Sequence, residues 1–219
     1  MDGPRPAEFL KLNPRALVPV LIFNGEIIIE SAIICQFLAD VYPSHLCPPS
    51  TSTEGALRRA RISYFTDAYW SKFHTTLFKL FEAPTDADAE KVIDEAVAGL
   101  LREVEPLLND ANPFFGGSDK LTLAEVSTLL PEILGPKKLN MCMKVIMGPF
   151  VIRAITLSKH GVYPKSLNAQ IQEKTPNFHK WATAVSGHPS ITSVFDESVI
   201  VARSVAKRER MRIAAGLPL

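Results

Sequence analysis

Between Glu8 and Pro43 short apolar runs alternate with turn residues. EFLKLN reads as a turn of helix, and VPVLIF (18–23) and EIIIE (26–30), rich in branched residues, read as strands. Asn24-Gly25 joins them as a two-residue hairpin, because both residues tolerate positive φ. Ser31 begins a helix, where its hydroxyl is placed to accept from a free backbone N–H. Ile34, Phe37, Leu38 and Val41 recur at helical spacing and form its apolar face, and Tyr42-Pro43 stops it.

After a proline- and serine-rich linker, SHLCPPSTST, the pattern becomes helical throughout. From Glu54 to Phe81 a long helix carries Leu57, Ala60, Arg61, Tyr64, Phe65 and Ala68 at helical spacing, followed by Tyr69, Trp70, Phe73, Phe78 and Phe81. The aromatics serve either as core or as the lining of a ligand pocket. A break at 83–87 leads to a second helix, with Asp86 as its expected cap and Val92, Ala96, Leu100, Val104 and Leu107 on one face. NPFFGG (112–117) is a turn. Thr122 and Glu125 then have capping-box spacing: the threonine hydroxyl is expected to accept from the Glu125 N–H and the carboxylate to return to Thr122. On that basis Thr122→Ala costs about 1 kcal/mol and Glu125→Ala less. Pro131 should kink or end the helix that follows. Met141, Cys142, Met143 and Met147 suggest soft packing, and Lys137, Lys138 and Lys144 a solvated face. Residues 166–174 read as a polar helix. Trp181 is expected in the core, and Arg203, Lys207, Arg208, Arg210 and Arg212 on the charged face of a last helix.

Bulk properties narrow the classes. The 219 residues are 47% hydrophobic, enough for a substantial core, and the net charge of +1 exerts no global pull toward nucleic acid or membranes. No aromatics interleave the basic tail as a nucleic-acid groove requires. Cys35, Cys47 and Cys142 lack metal spacing and fit a reducing compartment, with Cys35 packing as a small hydrophobe. His179 and His188 have no partner at ligand spacing, so no metal site is expected. With no apolar leader or bilayer-length run, a cytoplasmic location is the expectation.

Two features carry chemistry. Val18-Pro19 stands at a strand start, the place a ladder tolerates proline, and a cis bond there turns the Val18 N–H and C=O toward an extended peptide. Glu30-Ser31 opens a helix whose bare N–H groups form a carboxylate site. The plainer reading of both is a ββα unit with a capping serine. The strings NPRALVPVL and ESAIICQFLADVYP, however, resemble the glutathione-binding half of a cytosolic glutathione transferase. The Gly-rich turn before the capping box and the Trp181 helix ending at His188-Pro189 extend the resemblance over nearly the whole chain.

The resemblance implies that Val18, before cis Pro19, pairs with the cysteinyl backbone of glutathione, and that Glu30 and Ser31 hold its γ-glutamyl end. It implies a mostly α protein: a partial thioredoxin-like ββα piece (1–45), a linker (46–53) and an all-helical domain (54–219). The acceptor pocket is placed beside the first long helix, with Tyr64, Tyr69 and Phe73 as candidates. The family's first strand, helix and second strand, with the catalytic Tyr, Ser or Cys, have no counterpart before Met1, so the thiol-activating residue is unassigned. Three readings stay open. One is a transferase-like enzyme, homodimeric, joining glutathione to a hydrophobic, aromatic or quinone-like electrophile in detoxification or secondary metabolism, as in fungal polyketide pathways. The second is a non-catalytic binding or scaffold protein. The third is a chain whose start is mis-assigned. Without a donor, the thiol should keep a pKa of about 8.5 and the chain should be a poor catalyst.

Overall fold

The computed structural model describes residues 5–125, 147–193 and 195–217. Pro131, Lys137, Lys138, Met141, Cys142, Met143 and Lys144 lie outside them. The protein is mostly helical with one small sheet. Helix α1 spans Ala7–Leu12, strands β1 and β2 span Val20–Phe23 and Glu26–Ile29, and α2 spans Ser31–Val41. The strands pair antiparallel from Val20↔Ile29 to Phe23↔Glu26. Asn24 and Gly25 both have positive φ, the backbone a tight hairpin needs. β1 starts after Pro19, so the missing N–H of the proline costs the ladder nothing.

Helix α2 turns Ile34, Cys35 and Leu38 inward, where with Leu21 they join the same apolar cluster as Ile62 and Phe65 of the next helix. Cys35 takes the place expected for Val41, which is exposed, while Phe37 is half-buried against Phe23. The hairpin thus leans on the helical part through α2, and Ile22 and Ile27 of its other face stay exposed.

Helix α3 spans Thr53–Ala68. The Ser52 side chain caps it by accepting from the Gly55 N–H at 3.1 Å. Its buried face is Gly55, Arg59, Ile62, Phe65 and Ala68, whereas Leu57 and Tyr64 face solvent. Beyond Ala68 the helix widens into a π-helical stretch, Tyr69–His74, in which the Thr75 N–H reaches the Trp70 carbonyl five residues back. The wider turn brings Tyr69, Phe73 and His74 into the core while Trp70 keeps a partly exposed edge.

Helix α4 spans Asp86–Gly99 and continues as a second π-helical stretch, Leu100–Val104. Its cap is Thr85, which accepts from the Asp88 N–H at 3.1 Å, so Asp86 is the first helical residue instead of the cap. The buried face is Ile93, Ala96, Val97, Leu100, Val104 and Leu108; Val92 and Leu107 sit at its margin. Gly99 is there because the helix passes so close to the first π stretch that a Cβ would lie 2.5 Å from the Lys72 carbonyl oxygen.

The remaining helices are α5 (Met147–Lys159), α6 (Ser166–Lys174), α7 (Pro176–Gly187), α8 (Pro189–Thr192) and α9 (Glu197–Ala214). Trp181 of α7 is fully buried, as expected. The basic face of α9 is not simply solvated. Arg212 is buried and donates to the Ala83 carbonyl at 2.7 Å, Arg208 donates to the Val162 carbonyl, and the Lys207 ammonium lies 4.9 Å from the ring centres of both Phe78 and Phe81.

Thr122 and Glu125 do more than close a capping box. The Glu125 carboxylate is fully buried and accepts from the Thr122 N–H (2.8 Å), the Thr122 hydroxyl (2.7 Å), the Phe115 N–H (2.8 Å) and the Trp181 indole N–H (2.7 Å). The threonine hydroxyl accepts from Ala124, not from the Glu125 N–H. This reverses the ranking expected from the sequence. Thr122→Ala should cost about 1 kcal/mol, whereas Glu125→Ala, which strands several buried donors, should cost at least about 3 kcal/mol. Denaturant midpoints of the two variants check the order; a smaller loss at Glu125 would refute it.

Candidate functional site

The site begins at the end of β2. Glu30 adopts φ 68° and ψ 118°, a left-handed-region backbone that ends the strand and starts α2 abruptly. Glu30 is therefore the N-cap position, and its side chain makes no capping bond. Ser31 is the first helical residue and does not cap; its half-buried hydroxyl has no partner among the described residues. That corrects the expectation of a capping serine. It leaves the first N–H groups of the helix and the hydroxyl available to a ligand.

Arg15 reaches across from the loop after α1 and pairs with the Glu30 carboxylate. The pair is largely exposed and therefore weak, so a ligand can displace it. Arg15 carried no motif of its own and was not singled out from sequence. Asn13 shapes this loop: its side chain donates to the Leu17 carbonyl at 2.8 Å and accepts from the Arg15 N–H at 3.1 Å. The Val18-Pro19 bond is cis, Val18 is exposed, and neither its N–H nor its C=O is bonded among the described residues.

From Ser31 a cleft of about 530 Å³ runs between α2 and α3. Ser31, Ala32, Cys35 and Gln36 form one wall; Ile62, Ser63, Thr66, Asp67 and Trp70 form the other, with Leu123 at the base. Helical spacing explains both walls, since residues three, four and seven apart share a face. The aromatic of this cleft is Trp70. Tyr69 and Phe73, the sequence candidates, are core residues with 0% and 1% exposure, and Tyr64 faces solvent outside the cleft lining. The Tyr69 hydroxyl has no partner, and burial pushes its pKa upward. The π-helical phase shift, invisible to a 3.6-residue count, is what exchanges Tyr69 for Trp70.

Cys35 lines the cleft but is almost buried, and burial pushes its thiol up to about 12. It is not a thiolate nucleophile at neutral pH. Of the three hydroxyls in the cleft, Thr66 donates to the Ile62 carbonyl, which leaves Ser31 and Ser63 able to donate to a bound sulfur. Among the described residues no group of acidic, His and Cys side chains is placed to hold a metal, and no helix is long and apolar enough to cross a membrane.

A family model described as "Glutathione S-transferase, N-terminal domain" matches residues 1–41, the segment that holds Val18, Glu30 and Ser31. By these matches the chain resembles the cytosolic glutathione transferases. Among its curated relatives, glutathione S-transferase omega-1 of Sus scrofa is 28% identical over 140 residues, 64% of this chain and 56% of the relative. Protein LigF of Sphingobium sp. is 24% identical over 222 residues, 94% and 83% of the two chains. A probable glutathione S-transferase GSTU1 of rice (Oryza sativa subsp. japonica) is 32% identical over 113 residues; the match spans 49% of this chain and 48% of the relative. The chain thus spans about half the length of the pig and rice transferases it matches. The fold is that of glutathione transferase Omega 1C from Trametes versicolor (TM-score 0.69, 19% identity, 95% and 83% coverage). It is also that of the Tau-class enzyme from mango, Mangifera indica (TM-score 0.63, 20% identity, 94% and 84% coverage).

The wall of the cleft has a titratable support. His74 is buried behind Trp70, with ring centres 4.4 Å apart, and is flanked by Phe150 and Phe78; among the described residues neither ring nitrogen has a partner. Burial, with the Arg153 and Lys207 charges adding to it, pulls its pKa down from 6.5 to about 4. A depressed histidine binds fewer protons folded than unfolded. Its contribution is therefore intact above pH 6.5 and is lost as the pH falls toward 4, by about 3 kcal/mol in full. His74→Phe should flatten this part of the stability–pH curve, measured by urea unfolding; an unchanged slope would show that His74 does not carry it.

Proposed function

We propose that the protein is a glutathione transferase-like enzyme that joins the thiol of glutathione to an electrophilic aromatic or quinone-like small molecule. One observation carries the reading: Ser31, at the bare N-terminus of α2, opens directly into the cleft that Trp70 lines. A tripeptide anchored at Glu30, Ser31 and Val18 would present its sulfur to an aromatic held on the α3 wall. With an aryl halide the sulfur bonds to the halide-bearing carbon, the carbon–halide bond breaks, the halide leaves with the electron pair and the thiol proton passes to solvent. With a quinone the sulfur adds to a ring carbon, the C=C pair shifts to the carbonyl oxygen and that oxygen takes up a proton. Glutathione is the co-substrate. A homodimer in the cytoplasm, serving detoxification or secondary metabolism, is the setting that accords with this reading.

A second reading, a binding protein without catalysis, is favoured by the one thiol in the cleft: Cys35 is held protonated, so it offers no activated group. Ser31→Ala should weaken glutathione binding about ten-fold, the worth of one hydrogen bond to a charged group. Isothermal titration calorimetry measures it, and an unchanged affinity would remove Ser31 from the site. Conjugation of 1-chloro-2,4-dinitrobenzene well above the uncatalysed rate supports the enzyme; binding of glutathione without such turnover supports the binding protein.

A further inference from the structure

The α3 wall of the cleft is chemically one-sided. Ser63, Asp67 and Trp70 stand at i, i+4 and i+7 on the helix and its π-helical continuation, so they share a face. Asp67 is exposed and, among the described residues, has no salt bridge or hydrogen bond. The cations nearby are engaged elsewhere. Arg59 pairs with Asp40 and donates to the Pro48 carbonyl at 2.9 Å, and Arg61 pairs with Asp110 at 2.9 Å. Among the described residues no Lys, Arg or His lines the cleft. The Thr66 hydroxyl spends its proton on the Ile62 carbonyl, so it presents lone pairs to a ligand. Trp70 is fixed from behind by His74 and by Phe150, whose ring centre is 4.7 Å away, in edge-to-face contacts. Its exposed part can take an aromatic ring or a cation on its π face.

Among the described residues one carboxylate and one indole line the cleft, and together they are the recognition chemistry of an amine on an aromatic frame. Resting on the function proposed above, we infer that the acceptor is a cationic aromatic electrophile, its protonated amine on Asp67 and its ring against Trp70. Asp67 is then a specificity residue: it selects which electrophile enters and does not act on the sulfur. A neutral hydroxyl donor on the same ring would meet Trp70 equally well but gain less from Asp67, because a hydrogen bond between two charged groups is the stronger one.

Two nitroaromatic probes of the same frame test this on the full chain. One is 4-nitrobenzylamine, cationic at neutral pH; the other is 4-nitrotoluene, its neutral counterpart. Both quench tryptophan fluorescence, and Trp70→Phe separates the cleft signal from that of buried Trp181. The amine should bind about five-fold more tightly than the neutral probe at low salt, the scale of a partly exposed ion pair. The preference should shrink in high salt, vanish in Asp67→Asn and survive in Asp67→Glu. Equal affinities for the two probes, or a preference that persists in Asp67→Asn, overturn the inference. So does an Asp67→Asn chain that loses glutathione affinity with no change in probe preference, because the carboxylate would then hold the γ-glutamyl amine. Glutathione titrated into the unaltered chain reports on the proposed function separately. Its failure to bind, with the amine preference intact, defeats that function and supports the amine site.

Discussion

The buried carboxylate of Glu125 is the constraint on which the rest of the structure depends. A carboxylate without water is costly unless its lone pairs are filled, and here four donors fill them from three places in the chain: Thr122, Phe115 and Trp181. These donors come together only when the turn at 112–117, the segment Leu121–Glu125 and helix α7 are assembled together. The same helix is held at its start by a second buried carboxylate, Glu105, which accepts from the Asn177 and Phe178 N–H groups at 2.8 Å each. Helix α7 is thus fixed at two points one turn apart; Phe65 and Phe178 pack against its Trp181, and Phe115 stacks on Phe65.

That constraint reaches the cleft along the chain. Glu125 holds the segment that includes Leu123, whose N–H donates to the Leu46 carbonyl at 2.7 Å and whose side chain floors the cleft. Leu46 and Cys47 are buried in the same cluster as α2 and α3. The Arg59–Asp40 pair, with the Pro48 carbonyl as a further acceptor, ties α3 to the end of α2. The position of Ser31 relative to Trp70 is therefore set by packing and by buried polar contacts well below the surface.

Much of this was legible in the sequence. The hairpin announced itself through Asn24-Gly25, the cis proline through NPRALVPVL, and α7 through Trp181, because each rests on local chemistry. The misses share a cause: they depend on tertiary context. The Ser31 hydroxyl does not cap because the positive φ of Glu30 puts Glu30 in the cap position. Thr85 caps in place of Asp86, one residue earlier, where the backbone is still extended. Val41 and Tyr64 have the right period but lie where no partner element covers them. Glu125 could be placed at a helix start, but its bond to Trp181, 56 residues away, could not. Arg212, read as a surface charge, turns inward to two carbonyls far back in the chain.

The two ends of the cleft differ in how they are encoded, and this bears on what each can tell. The end proposed for glutathione is built from backbone: the first N–H groups of α2, the exposed Val18 peptide and the positive φ of Glu30. Backbone geometry of that kind needs only a few residue types in fixed order, so a short motif captures it. The acceptor end is built from side chains on one helical face, and its phase is set by the π-helical widening at Tyr69–His74. One residue of phase decides whether Tyr69 or Trp70 meets the ligand. Substitutions along Ser63, Asp67 and Trp70 can change the acceptor without touching the glutathione end. If the cleft takes the electrophile proposed above, its selectivity rests on this chain's own α3 wall, and the resemblance to the transferases does not carry it.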